Sequence, residues 1–249
     1  MKTPRLLNLI PALAAVSTCI VHADLVLETE TAELGVKGDS LVSAALQVER
    51  DKDGGLAYFT VNQYEYAITD RSEILIEPFF YEWNKPKNGP GYSGVGDLEI
   101  SPSYMMMIDN PQSWIPAAVA AFKLKVPTAT NRNIGSGEFD YQPYIIFGKN
   151  IGPWIWNANF GYDFVTSTKT EKLKDQYIFD LSVQRNVTEN LGLFAEIFAN
   201  SSPIKGENGT FAGAVAAEYK INKYLNIYTS LGYDTGKVIT LRSGFNIEW

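Results

Sequence analysis

The chain has almost none of the residues that most soluble enzymes rely on for chemistry. Of its 249 residues one is cysteine, Cys19, and one is histidine, His22. Both fall within a predicted export signal over residues 1–23. Lys2 and Arg5 give its basic start, residues 6–16 its apolar run, and Val21 and Ala23 the small residues before a cut that leaves Asp24 first. A lipoprotein anchor at Cys19 is the weaker reading, because Val16-Ser17-Thr18 lacks the usual leucine and small residue. Cleavage leaves neither thiol nor imidazole. Disulfides, zinc sites built on Cys and His, cysteine nucleophiles and Ser–His triads are thereby excluded.

Long apolar runs are also missing. The signal's own run is too short for a spanning helix, and no later stretch is longer. Basic excess is absent as well. The formal net charge is −7, and losing the two positive charges of Lys2 and Arg5 takes it to −9. Such a chain has no electrostatic reason to bind nucleic acid.

What is present is alternation. Short segments rich in Tyr, Phe, Ile, Val and Thr are separated by clusters of Gly, Asn, Asp and Pro. In the last segment Ile239, Leu241, Phe245, Ile247 and Trp249 share one parity, and Thr240, Arg242, Asn246 and Glu248 the other. A strand sends these sets to opposite faces. The same split recurs upstream, with Trp154, Trp156, Phe160 and Tyr162 against Asn157, Asn159 and Asp163, and with Tyr177, Phe179 and Leu181 against Asp180 and Gln184. A soluble sandwich alternates too, but three features favour a membrane barrel. The segments suit a tilted bilayer crossing, the last strand ends on an aromatic residue, and the connections alternate between long and short.

The predicted fold is therefore all-β, an antiparallel up-and-down transmembrane barrel of twelve strands. The strands cover 39–50, 56–68, 73–84, 96–108, 114–127, 138–148, 153–165, 175–185, 190–200, 210–221, 224–233 and 238–249. Residues 24–38 form an N-terminal periplasmic or lumen segment, and residues 39–249 the barrel. Long connections lie outside the cell and tight turns in the periplasm. Trp114, Trp154, Tyr224 and Trp249 are expected to form an aromatic girdle on the periplasmic rim.

The polar parity supplies the candidate site. It directs Glu99, Lys123, Lys125, Asp140, Asp163, Asp180, Glu196, Glu218 and Arg242 into the lumen, along with Asn157, Asn159, Gln184, Lys220 and Asn246. These side chains either brace the wall as salt-bridged fillers or act as a selectivity wall. The excess of acids from strand seven to strand ten predicts a weak preference for cations, with Asp180 and Glu196 central to it. No catalytic residue, metal site or cofactor is predicted. An acidic pair such as Asp180 with Glu196 could in principle transfer protons, but such pairs arise by chance in a polar lumen. Asp51-Lys52-Asp53-Gly54 looks like a fragment of a calcium loop without its closing glutamate, so a turn is expected there.

Several stretches also resemble a known family. They are Glu28-Thr-Glu-Thr-Ala-Glu33 before Lys37-Gly38, Glu49-Arg-Asp-Lys-Asp-Gly54, Ile68-Thr-Asp-Arg71, Gly94-Val-Gly-Asp-Leu98, Phe122-Lys-Leu-Lys-Val-Pro-Thr128 and Asn159-Phe-Gly-Tyr162. Together they resemble the outer-membrane family associated with the meta-cleavage pathway of phenol degradation, and more distantly the long-chain fatty acid outer-membrane transporters. The resemblance implies a barrel that passes small, often hydrophobic or aromatic, molecules. A non-conducting structural or adhesive barrel is the alternative. The implied partners are outer-membrane lipid and lipopolysaccharide, the barrel-assembly machinery and a small-molecule solute.

Overall fold

A computed structural model of the chain describes residues 28–77, 81–168 and 172–249. The predicted signal, its cleavage point and residues 24–27 lie outside these. The described residues form one antiparallel sheet that closes on itself. Its strands are β1 (Ser40–Arg50), β2 (Leu56–Thr69), β3 (Ser72–Glu77), β4 (Tyr81–Lys85), β5 (Tyr92–Val95), β6 (Leu98–Met107) and β7 (Ala117–Val126). They continue as β8 (Asp140–Ile151), β9 (Trp154–Asp163), β10 (Gln176–Asn186), β11 (Leu191–Asn200), β12 (Thr210–Lys220), β13 (Leu225–Asp234) and β14 (Ile239–Glu248).

Three of these, β3, β4 and β5, are short. β3 and β4 pair with opposite ends of β2, and they pair in turn with β6 and β5. Each couple forms a single stave, so the barrel has twelve staves, as the alternation predicts. The seam closes where β1 pairs with both β2 and β14. There Ser40 N–H donates to the Trp249 carbonyl at 3.0 Å, and Trp249 N–H donates back at 3.1 Å. Closure joins the first and last staves, whose edges an open sheet in hydrocarbon could not leave bare.

Three boundaries differ from the sequence expectation. β3 and β4 do not share one alternation, as a single strand over 73–84 would. Glu73 and Glu82 are both buried although their parity differs, so the inward face changes between β3 and β4. The loop expected from Lys85 to Val95 is shorter, because Tyr92–Val95 pairs with β4. Trp114 lies outside the strand it was expected to begin. β7 starts at Ala117, and Trp114 sits 88% exposed in the preceding turn. That turn is held by Lys149 Nζ, which donates to Asp109 Oδ1 at 2.6 Å and to the Asn110 carbonyl at 2.8 Å. The run Met105-Met106-Met107 breaks alternation because it contains a bulge. Met105 pairs with Val119 while Met107 pairs with Ala118, and only Met105 is buried.

Outside, the barrel is apolar. Val215, Leu231, Leu241, Phe160 and Phe211 are among the exposed side chains. In a soluble protein a surface of this kind would drive aggregation, and in a bilayer it is the lipid face. Trp154, Tyr224 and Trp249 lie at the end of the barrel that holds Ser40 and Trp249, here called the terminus end. Arg185 stacks 5.0 Å from the Trp154 ring centre, and Lys223 lies 4.4 Å from that of Tyr224. A second aromatic group lies toward the opposite, loop end. Tyr162 meets Phe164 at 4.8 Å and Tyr177 at 5.0 Å between ring centres.

The candidate lumen and its strap

Polar residues of alternate parity are buried on the inner face. Asp140, Asp180, Glu196, Glu218 and Arg242 are each less than a tenth exposed, as are Asn157, Asn159, Gln184 and Asn246. Glu99, Lys123, Lys125 and Asp163 are half-buried. The bases on β7 are paired. Lys123 lies 3.3 Å from Glu77 and 3.1 Å from Glu99, and Lys125 bridges Asp97 and Asp140. Toward the terminus end Asn246 donates to Glu218 at 3.2 Å. The sequence-predicted bases and acids thus separate into a braced group around β6–β8 and a second, mostly acidic, group on β10–β12.

The second group meets a feature that polarity alone did not reveal. Residues 28–35 run inside the barrel as an extended strap, and 36–38 lie exposed at its terminus end. The strap has no strand partner, so its backbone donors need acceptors from the wall. Glu196 supplies one carboxylate to two of them and to a hydroxyl. Its Oε2 accepts from Glu28 N–H at 3.0 Å, Thr29 N–H at 3.0 Å and Thr29 Oγ1 at 2.9 Å. Next, the Asn159 side-chain amide reads the Glu30 backbone, donating to its carbonyl at 3.0 Å and accepting from its N–H at 2.7 Å. Ala32 N–H then donates to Asn157 Oδ1 at 3.1 Å, Gly35 N–H to Glu73 Oε2 at 3.1 Å, and Lys37 N–H to Asp70 Oδ1 at 3.0 Å. Gly38 joins the end of β2 through the Ala67 carbonyl at 2.9 Å.

Side chains of the strap are held too. Glu28 forms an ion pair with Arg242, whose Nε also donates to Gln47 Oε1 at 2.7 Å. The Arg242 guanidinium beside Glu28 outweighs burial and holds that carboxyl below the usual carboxylate range. Tyr144 donates its hydroxyl to Glu30 at 2.6 Å. Ala32 and Leu34 pack on an inward apolar cluster of Met105, Ala117, Val119, Ala121, Tyr144 and Ile146. Close approach is possible because Gly148 has no side chain. A Cβ there would lie 2.5 Å from that of Ala32 and 2.9 Å from Asn157 Oδ1.

The lumen divides around the strap. Toward the loop end are two cavities of about 190 and 280 Å3, both lined by Glu28 and Phe198. On the terminus side is a more apolar one of about 330 Å3, lined by Ala32, Leu34, Met105 and Ile155 among others. Phe194, Ala216 and Tyr228 form a further inward cluster with Ala45. Sequence parity missed these apolar fillers, since it assigned the inner face by polarity.

A family described as "Putative MetA-pathway of phenol degradation" matches residues 32–247. The chain belongs to that family. The match takes in all but the first residues of the strap and nearly the whole barrel. No curated protein sequence matches. Among solved structures, an outer membrane channel from Pseudomonas putida F1 superposes with a TM-score of 0.68 at 15% identity, over 87% of this chain and 97% of that one. The KdgM porin gives 0.56 at 12% identity, over 82% and 98%. The translocator domain of the autotransporter NalP from Neisseria meningitidis gives 0.53 at 8% identity, over 87% and 89%. Identities this low concern the fold, which is that of outer-membrane barrels, and a channel, a porin and a translocator domain illustrate that one barrel architecture serves several tasks.

Among the described residues no group of three or more Asp or Glu side chains is arranged to hold a metal ion. The segment at Asp51 closes on itself, with Asp51 Oδ1 accepting from Asp53 N–H and Gly55 N–H at 2.8 Å each. It is a turn.

Proposed function

We propose that this chain is an outer-membrane conduit for small molecules, including hydrophobic or aromatic ones, whose bore is narrowed by residues 28–35. The observation that carries the reading is the strap itself. It lies between cavities on its two sides and is fixed to the wall mainly by polar contacts, which water can replace. A strap with those bonds can shift without dismantling the barrel, whose own ladder bonds do not involve it. Family membership and the channel and porin neighbours agree with a conduit. The phenol pathway in the family's description is the basis for including aromatic solutes.

The apolar outer face and the aromatic groups at both ends suit outer-membrane lipid, with lipopolysaccharide at the loop end and the termini in the periplasm. The barrel-assembly machinery would insert the chain. No lumen group is assigned a catalytic role on this reading. Vesicle swelling tests it. Vesicles carrying the full chain should swell in iso-osmotic solutions of small solutes, and faster with Gly148→Val, whose side chain collides with Ala32. Failure to swell with any solute, for either protein, would support a structural barrel instead.

A further inference from the structure

The loop-side cavity of about 190 Å3 has an unusual wall. Every charged group on it but one has a partner. Lys123 is held by Glu77 and Glu99, and Glu28 by Arg242. Glu30 is engaged by Tyr144 and, through its backbone, by Asn159. The exception is Asp180 on β10. It is 9% exposed and lines the cavity, yet among the described residues its carboxylate accepts no hydrogen bond and forms no ion pair.

A buried carboxylate without a partner is costly, and structures that keep one commonly use it to meet something from outside. The nearby base cannot easily serve, because moving Lys123 to Asp180 would strand Glu77 and Glu99. Around Asp180 the wall is partly apolar. Ile178 precedes it on the same inward face, and the Phe198 ring stands on the neighbouring strand. Gly161 pairs with Ile178 across the strands, and a Cβ built on it would already meet Tyr144, Gln142 and Ile178 at 3.3–3.5 Å, so a larger residue there would narrow the cavity.

We propose that this cavity binds a small organic ammonium ion, with its charged head on Asp180 and its apolar part against Ile178 and Phe198. A carboxylate satisfies an ammonium through charge-assisted hydrogen bonds, and an aromatic ring adds cation–π attraction. The volume lies below that of typical drug-sized pockets, so the ligand is a small amine. The inference deepens the conduit reading by naming a solute class, and it rests on that reading only for its use in transport.

Calorimetry on the purified full chain tests it without requiring conduction. The probe is benzylammonium, with benzyl alcohol, methylammonium and sodium as comparisons. Benzylammonium should bind saturably at one site, and benzyl alcohol should not. Asp180→Asn, which keeps the shape, should weaken binding about ten-fold or more, as expected for one hydrogen bond to a charged group. Phe198→Ala should weaken benzylammonium more than methylammonium, which loses only the cation–π contact. Heat-dependent gel migration verifies that each variant is folded. Unchanged affinity in folded Asp180→Asn, equal binding of benzyl alcohol, or equal displacement by sodium would each overturn the proposal. Binding without conductance would leave the ammonium site standing and refute the conduit. Conductance without binding would do the reverse.

Discussion

Thr29 hands both its N–H and its hydroxyl to one oxygen of Glu196, at 3.0 and 2.9 Å. This contact changes what Glu196 is for. Parity marks it as one of an arc of lumen acids that would favour cations. Its lone pairs are instead directed at the strap. Glu196→Ala should remove interactions worth about 1.5–3 kcal/mol each at most, because they are bonds to a charged group. The expected result is a loosened strap, read as faster amide exchange at Thr29 and Ala32 with an unchanged barrel. Equal exchange in wild type and variant would show that Glu196 does not anchor it.

Cation preference should therefore depend on Asp180 more than on Glu196. In reversal-potential measurements under a salt gradient, Asp180→Asn should shift the potential toward zero. Glu196→Gln should chiefly raise conductance. Both effects on selectivity should fade in concentrated salt, where the Debye length falls to about 3 Å. A larger selectivity change from Glu196→Gln than from Asp180→Asn would restore the arc as the filter.

Acid should release the upper end of the strap. Glu28 sits on the strap, not on a strand, and pairing with Arg242 lowers its affinity for protons. A carboxyl depressed in the folded state contributes stability that is present above its unfolded pKa, about 4.3, and lost as pH falls through its lower folded value. The Glu28 contribution to strap protection should hold from neutral pH to about 4.3 and decline below it. Arg242→Gln should remove that acid-dependent loss by weakening the strap at all pH values. An acid response that persists unchanged in Arg242→Gln would assign it to other carboxyls.

The β1–β14 seam ends on the pair of backbone bonds between Ser40 and Trp249. Deleting Trp249 removes both, along with a lipid-facing ring. The deleted protein should remain protease-sensitive and fail to show heat-modifiable migration on a gel. A normal folded band would show that the seam closes without it.

The one cysteine, Cys19, lies in the predicted signal, so sidedness can be tested with single introduced thiols once removal of that segment is verified. Lys172→Cys and Asn208→Cys lie in loop-end connections, and Glu189→Cys in a terminus-end turn. An impermeant maleimide on intact cells should label the first two only. The opposite result would invert the barrel.

Much of the fold was legible because a lipid face and a wet face impose strict alternation on each crossing strand. Trp154-to-Tyr162 and Ile239-to-Trp249 show it with few exceptions. The reading weakened where alternation carries no such pressure. At β3 and β4 the inward face changes parity between Glu77 and Tyr81, and at Met105–Met107 a bulge inserts a residue. Trp114 follows the parity of β7 by coincidence of spacing while lying in the turn. The lumen was half legible. Asp140, Asp180, Glu196 and Arg242 are buried on the inner face and Lys123 and Lys125 half-buried there, but their partners depend on which staves adjoin and on the strap. Val119, Phe194 and Tyr228 were missed, since an apolar side chain covered inside a barrel is indistinguishable by composition from one facing lipid. The strap has no periodicity at all. Its conformation is set by wall acceptors far away in sequence, and only the run of Glu and Thr from Glu28 to Glu33 hinted at a polar surrounding.

The account stands on a conduit narrowed by its own N-terminal strap. Single-channel recording in a planar bilayer tests it most directly, with the full chain compared to a variant lacking residues 28–36. The full chain should give small conductance steps, and the shortened chain, once shown to be folded, should give clearly larger ones. Equal conductance in both would show that the strap does not narrow the path, and silence in both would contradict the conduit itself.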